Sequence, residues 1–171
     1  TVTVNNQSRA YGAVNPATGT VTLSNGTLYN GDTLSVANLS STANASSAVG
    51  HYTLTGSGQT FSAGNAGDYN ISYANGSLAV SPANLVITAN NVSKTYGQVL
   101  VFTGTEFSAT ALPNGETVSA VNISSTGAAA NASVNGGMGY PVVASNASGA
   151  AAPNQIVLAW YSFIILTALR A

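Results

Sequence analysis

The chain has 171 residues with Lys+Arg 3 and Asp+Glu 4, a charged fraction of 4% and a net charge of -1, against about 25% charged residues in an average soluble domain. Three cations cannot neutralise a run of phosphates, which excludes nucleic-acid binding and a basic membrane-surface helix. One His, four scattered acids and no Cys exclude a disulfide framework and leave almost nothing for a metal site or an acid–base pair. The expectation is therefore a chain with no catalytic, cofactor-binding or metal-ligating residue. What remains is a polar, uncharged, β-leaning composition.

In chain order, no cationic n-region or apolar h-region follows Thr1, so the chain reads as a piece excised from something longer. The first strand signal is Val21–Ser24, with Asn25-Gly26 as a turn and Thr27–Tyr29 as a weak return strand. A stronger one follows. Tyr69, Ile71 and Tyr73 alternate with Asn70, Ser72 and Ala74; then come Asn75-Gly76 and the alternating Leu78 and Val80. Alternation means a half-buried strand, and Asn-Gly accepts the positive φ of a type I′ hairpin, so the spacing predicts strand 69–74, a turn, and strand 77–81. Ser81-Pro82-Ala83-Asn84 is a short Pro-containing joint. Leu85, Ile87 and Ala89 alternate with Val86, Thr88 and Asn90 as a further strand. A short turn of helix fits around Ala128–Ala132, weakened by Gly127 and Asn131. The longest apolar stretch, Ile156–Leu169, falls short of the roughly 20 residues that cross a bilayer as a helix, so no membrane span is expected.

The sequence repeats itself. TVTVNNQSRAYG from Thr1 to Gly12 matches VITANNVSKTYG from Val86 to Gly97 at Thr3/Thr88, Asn5/Asn90, Asn6/Asn91, Ser8/Ser93, Tyr11/Tyr96 and Gly12/Gly97, with Arg9/Lys94 as chemical equivalents. Asn30–Thr42, NGDTLSVANLSST, matches Asn114–Thr126, NGETVSAVNISST. A looser block sets Gly50-His51-Tyr52-Thr53-Leu54 against Gly139-Tyr140-Pro141-Val142. Blocks recurring in the same order, the first two at offsets of 85 and 84 residues, are the signature of a duplicated module. They imply two all-β modules, residues 1–83 and 84–171, with little helix. Whether each is an immunoglobulin-like sandwich or a β-grasp-like sheet stays open, because a sandwich wants about seven strands and fewer can be counted. A parallel β-helix would repeat at roughly 20–30 residues, which the observed period does not do.

These blocks resemble the tandem MBG and YDG-type repeats of very large bacterial surface proteins, found in adhesins similar to filamentous haemagglutinin and exported by the two-partner route. The carriers are Asn5-Asn6, Tyr11-Gly12, Asn30-Gly31-Asp32-Thr33, Gly50, Tyr52 and Tyr69 through Val80 in the first module, and Asn90-Asn91, Lys94, Tyr96-Gly97, Asn114-Gly115-Glu116-Thr117 and Gly139-Tyr140-Pro141-Val142 in the second. The resemblance implies a secreted or cell-surface location, a structural stalk or spacer role, and neighbouring repeats of the same polypeptide as partners, with host or matrix glycans as partners of the alternative, a glycan- or mucin-binding adhesive module. It implies no cofactor and no enzyme. From about residue 155 the chain departs from the pattern: Gln155–Tyr161 and Ser162–Ala171 hold the only Trp, and no Gly follows Gly149. A shifted reading frame and a naturally divergent terminus both remain open, and the tail is expected to replace the lost final hairpin imperfectly, leaving apolar surface exposed.

Of the residues that could carry chemistry, His51 has no counterpart at the matching step and no evident partner, and reads as a strand-edge residue. Asp32 and Glu116 match each other; each reads as a turn acid bonded to backbone N–H groups rather than as a Ca²⁺ ligand or a glycosidase acid. Tyr11 and Tyr96 read as rings packed at a turn with wet hydroxyls, the alternative being sugar stacking. Ten Asn-x-Ser/Thr sequons, at Asn6, Asn25, Asn38, Asn44, Asn70, Asn75, Asn91, Asn122, Asn131 and Asn146, exceed the roughly four that independent placement gives. The motif marks accessible Asn, so sugar modification of the parent protein is a further expectation.

Overall fold

The computed structural model describes residues 1–134 and 138–149 in full, and the strand backbone of 155–160 and 162–167. The chain divides into two compact units, Thr1–Ala83 and Asn84–Ala171. Both are built from strands. Among the described residues the only helices are single 3-10 turns, at Ala66–Asp68, Pro113–Gly115 and Thr126–Ala128, and none is long and apolar enough to cross a membrane. The turn foreseen at Ala128–Ala132 lies slightly earlier, where the Ser125 hydroxyl caps it by accepting from Gly127 N.

The first unit holds β1 (Val2–Val4), β2 (Gln7–Ala10), β3 (Thr18–Leu23), β4 (Thr33–Leu34), β5 (Val36–Ser40), β6 (Gly50–Ser57), β7 (Phe61–Ala63), β8 (Tyr73–Ala74) and β9 (Gly76–Ser81). Seven of them form a sheet in the order β2-β9-β6-β5-β3-β1-β8, and β4 pairs with β7. β1 also packs against β6 and β9, strands remote from it in that order, so the sheet folds over its own apolar face. The fold-over buries Val4 of β1 with Leu54 of β6, Leu78 of β9 and Ala43. Each fully buried Leu or Val contributes about 1.5–3 kcal/mol, and Val2, Tyr11, Ala37 and Val80 are buried as well.

The second unit holds β10 (Ala83–Ala89), β11 (Val92–Thr95), β12 (Phe107–Ala109), β13 (Val118–Ser124), β14 (Tyr140–Gly149), β15 (Gln155–Trp160) and β16 (Ser162–Thr167), in sheets of order β12-β10-β15 and β11-β16-β14-β13. Leu85, Ile87 and Ala89 of β10 are buried, as their alternation predicts, with Val121, Val142 and Ala144.

The two units share a pairing scheme. In the first, β9 runs parallel to β2 (Gln7↔Leu78) and antiparallel to β6 (Tyr52↔Leu78). In the second, β16 runs parallel to β11 (Val92↔Ile164) and antiparallel to β14 (Tyr140↔Ile164). The tail strand thus takes the sheet position of β9, although its sequence has left the repeat pattern. Backbone hydrogen bonding, which any sequence can supply, sets that position. The side chains of the tail lie outside the described residues, and so does the expectation about its exposed apolar surface.

Two hairpin expectations are corrected. Asn75-Gly76 is not a hairpin turn: β8 pairs with β1 and β9 with β6 and β2, and only Tyr73–Ala74 of the expected strand 69–74 is extended in a ladder. Gly76 is required there for another reason, since a Cβ would collide with the Val4 carbonyl oxygen. Likewise β3 ends at Leu23, and residues 27–29 form no strand. The positive-φ Asn-Gly turns are instead Asn30-Gly31 (φ 56 and 78) and Asn114-Gly115 (φ 57 and 72). Asp32 N bonds back to Tyr29 O at 2.9 Å and Glu116 N to Pro113 O at 3.1 Å, the i to i+3 closure of a type I′ turn.

Candidate functional site

The most repeated residues of the sequence build one local structure in both units. β2 and β11 each deliver a buried cation, Arg9 and Lys94, then a turn containing Tyr-Gly. Gly12 and Gly97 have φ 85 and 88, and the turns close by Ala13 N to Ala10 O at 3.1 Å and Gln98 N to Thr95 O at 3.2 Å. Glycine is needed at this third turn position because φ > 0 costs any residue with a Cβ.

The turn grips three successive carbonyls of a distant segment. In the first unit the Asn15 amide donates to Ala43 O at 2.6 Å, Arg9 Nη2 to Asn44 O, and Gly12 N to Ala45 O at 3.1 Å. In the second, Leu100 N donates to Ala128 O at 2.9 Å, Lys94 Nζ to Ala129 O, and Gly97 N to Ala130 O at 3.1 Å. Arg9 is further held by Asn15 Oδ1 at 2.6 Å and Ala10 O at 3.1 Å, and Lys94 by Gln98 O at 2.8 Å. All these acceptors are neutral oxygens. A buried cation without a counter-ion is costly unless dipoles replace its water, and the carbonyls do so here. The arrangement therefore fixes chain geometry, with each nitrogen of both cations bonded to an oxygen of the chain itself.

The tyrosines of the two turns differ. Tyr11 is 5% exposed and Tyr96 54%. Packing at the turn holds for the first and not for the second, so no sugar-stacking face is repeated at this position.

Asp32 does not act as a turn acid bonded to backbone; its Oδ2 accepts from the Tyr69 hydroxyl at 2.7 Å, and Tyr29 N donates to the same phenolic oxygen at 3.0 Å. The Tyr29 amide lowers the Tyr69 pKa, but the Asp32 bond, burial and the charges of Asp32 and Asp68 outweigh it and raise the phenol above 10.0. Tyr69 stacks on Phe61 at 5.4 Å. Both rings line a cavity of about 100 Å³ beside Val2, Leu28 and Leu34. In the turn that ends at Glu116, the sequence counterpart of Asp32, Pro113 holds the first position where the first module has Tyr29.

His51 lies on β6 opposite Ala79, with Nδ1 3.3 Å from Ser77 Oγ. The open cleft around it is lined by Asn6, Gln7, Ser8, Ser77 and Ala79, which supply no carboxylate to orient the imidazole. Glu106 was not singled out by the sequence. Its carboxylate accepts from Thr103 N at 2.9 Å, Thr103 Oγ1 at 2.7 Å, Gly104 N at 3.0 Å and Thr105 N at 3.2 Å. The Thr103 amide and then its hydroxyl lower the Glu106 pKa from 4.5 to about 2. Among the described residues no three of His, Asp and Glu gather closely enough to hold a metal ion. The Asn of all ten sequons is exposed.

A pair of small β units, each closing on the same clamp, defines a tandem-repeat protein. The MBG domain (YGX type) family matches residues 1–79 and again residues 85–154, and the chain belongs to that family. Neither a curated protein nor a solved structure matches it.

Proposed function

We propose that the chain is a non-catalytic stalk or spacer segment of a secreted or surface-displayed bacterial adhesin. One observation carries the reading: the residues that recur in both modules, Arg9/Lys94 and Gly12/Gly97, are spent on internal carbonyls. Repetition of a self-contained fold whose recurring cation and glycine are turned inward is what a spacer needs. A glycan-binding role calls for an aromatic face present in both modules, and the buried Tyr11 against the exposed Tyr96 argues against it.

Two measurements test the reading together. Antibodies raised against residues 1–171 should label intact cells of the source organism, and removal or duplication of the segment in the parent protein should change the reach of adhesion without changing which ligand is bound. A strictly internal location, or saturable binding of the isolated chain to a defined glycan, would overturn it.

A further inference from the structure

The first module has two chemically distinct ends. β1–β2 and β8–β9 run side by side in one direction. One end is therefore marked by Val2 N bonded to Ser72 O at 2.9 Å, the other by Tyr11 N bonded to Ser81 O at 2.8 Å. At the first end lies the cavity of about 100 Å³ walled by Val2, Leu23, Leu28, Leu34, Phe61 and Ile71. Asp32, bonded to the Tyr69 hydroxyl, and Asp68, next to Tyr69 in the chain, make that end negative.

At the other end the Tyr-Gly turn carries an outward valine. Val14 is 83% exposed, and Val99, at the same step of the second module, is 67% exposed. A single exposed valine has no meaning. The same valine exposed twice, two residues beyond a left-handed glycine and beside a residue gripped by the buried cation, is a presented side chain. Asn15, next to Val14, is held by Arg9, and Gln98, next to Val99, by Lys94. The cation bonded beneath each valine meets only neutral oxygens, so this end carries uncompensated positive charge.

We propose that the Tyr-Gly-x-Val loop is a docking knob for another copy of the module: the Val99 loop of one chain seats in the first-module cavity of a second chain, end to end. The cavity has room for a branched apolar side chain, and the acids at its rim face the cation under the knob. The inference rests on the repeat reading above. In a long tandem array neighbouring modules hold knob and cavity at high effective concentration, so a contact weak between free chains becomes significant.

The chain has no cysteine, so disulfide trapping is clean. An equimolar mixture of Gln98→Cys chains, changed at the exposed residue beside the intact Val99, and Thr27→Cys chains, changed at an exposed position lining the cavity, is oxidised at low and at high salt. Random pairing gives as much mixed dimer as the two like-with-like dimers together. Docking raises that ratio about tenfold, the factor that burying one valyl side chain supplies, and salt reduces it through the charged part. Introducing Val14→Asp into the Gln98→Cys chain leaves the ratio unchanged, whereas Val99→Asp in that chain, or Leu28→Trp in the Thr27→Cys chain, which fills the cavity, returns it to random. A random ratio at both salt concentrations overturns the docking proposal while leaving the surface-labelling and glycan results, and so the spacer reading, untouched.

Discussion

Arg9 and Lys94 stand at the same step of two modules, and each donates to the backbone carbonyl 35 residues downstream, Asn44 and Ala129. The side chains differ, the geometry of delivery differs, and the acceptor is the same. A chain with seven charges has committed two of its three cations to this one task. The cation joins strand β2 or β11 to a remote turn.

Replacing Arg9 by Met keeps most of the buried stem but leaves Asn44 O and the Asn15 side chain without their donor. Charge-assisted bonds and unsatisfied buried acceptors are each worth about 1–3 kcal/mol, so the first module should lose about 3 kcal/mol. Trp160, the only tryptophan, lies in the second unit. Its fluorescence transition in urea should stay in place while the far-UV circular dichroism transition of the first module moves to lower urea.

Gly97→Ala and Gly76→Ala should separate two kinds of glycine requirement. A Cβ at Gly97 meets nothing within 4 Å and suffers only from φ 88, at a cost of about 1–2 kcal/mol. At Gly76 it meets the carbonyl of Val4, which the surrounding core cannot move cheaply. Gly76→Ala should therefore be the more damaging of the two by equilibrium unfolding, although its backbone lies outside the left-handed region.

Acid should weaken the second module through Glu106. Its folded pKa of about 2 lies below the ordinary 4.5, so the unfolded chain binds the proton first. The stabilisation is fully present above pH 4.5 and is lost as pH falls toward 2. In a series of melting curves over that window, Glu106→Gln should remove this part of the slope and leave the first module's acid response unchanged.

The tail strand should be essential to the second module. β16 lies between β11 and β14, so a chain ending at residue 154 would leave both with open ladders. Such a chain should retain the first module's unfolding transition and lose the second's. Retention of two cooperative transitions would show that β16 is dispensable.

Much of the fold was legible in the sequence, and the failures have physical causes. Duplication was visible because whole blocks recur in the same order, and β10 was readable because Leu85, Ile87 and Ala89 alternate and are all buried. Asn75-Gly76 misled because the dipeptide serves two ends: positive φ, as at Asn30-Gly31, and close backbone approach, as at Gly76 beneath Val4. Choosing between them requires knowing the strand's distant partner. The clamp itself was half visible. The equivalence of Arg9 and Lys94 was plain, but their acceptors are backbone carbonyls of Asn44 and Ala129, which carry no residue identity for a sequence to display.

Amide hydrogen exchange at Gly12 and Gly97 tests most directly whether the repeated Tyr-Gly signature is an internal clamp. Each amide donates to one carbonyl of the distant segment, Ala45 O and Ala130 O. Both should exchange far more slowly than an open turn allows, and Arg9→Met should deprotect Gly12 while leaving Gly97 protected. Exchange of both amides at the rate of an unstructured chain, or protection of Gly12 that Arg9→Met does not alter, would contradict the clamp.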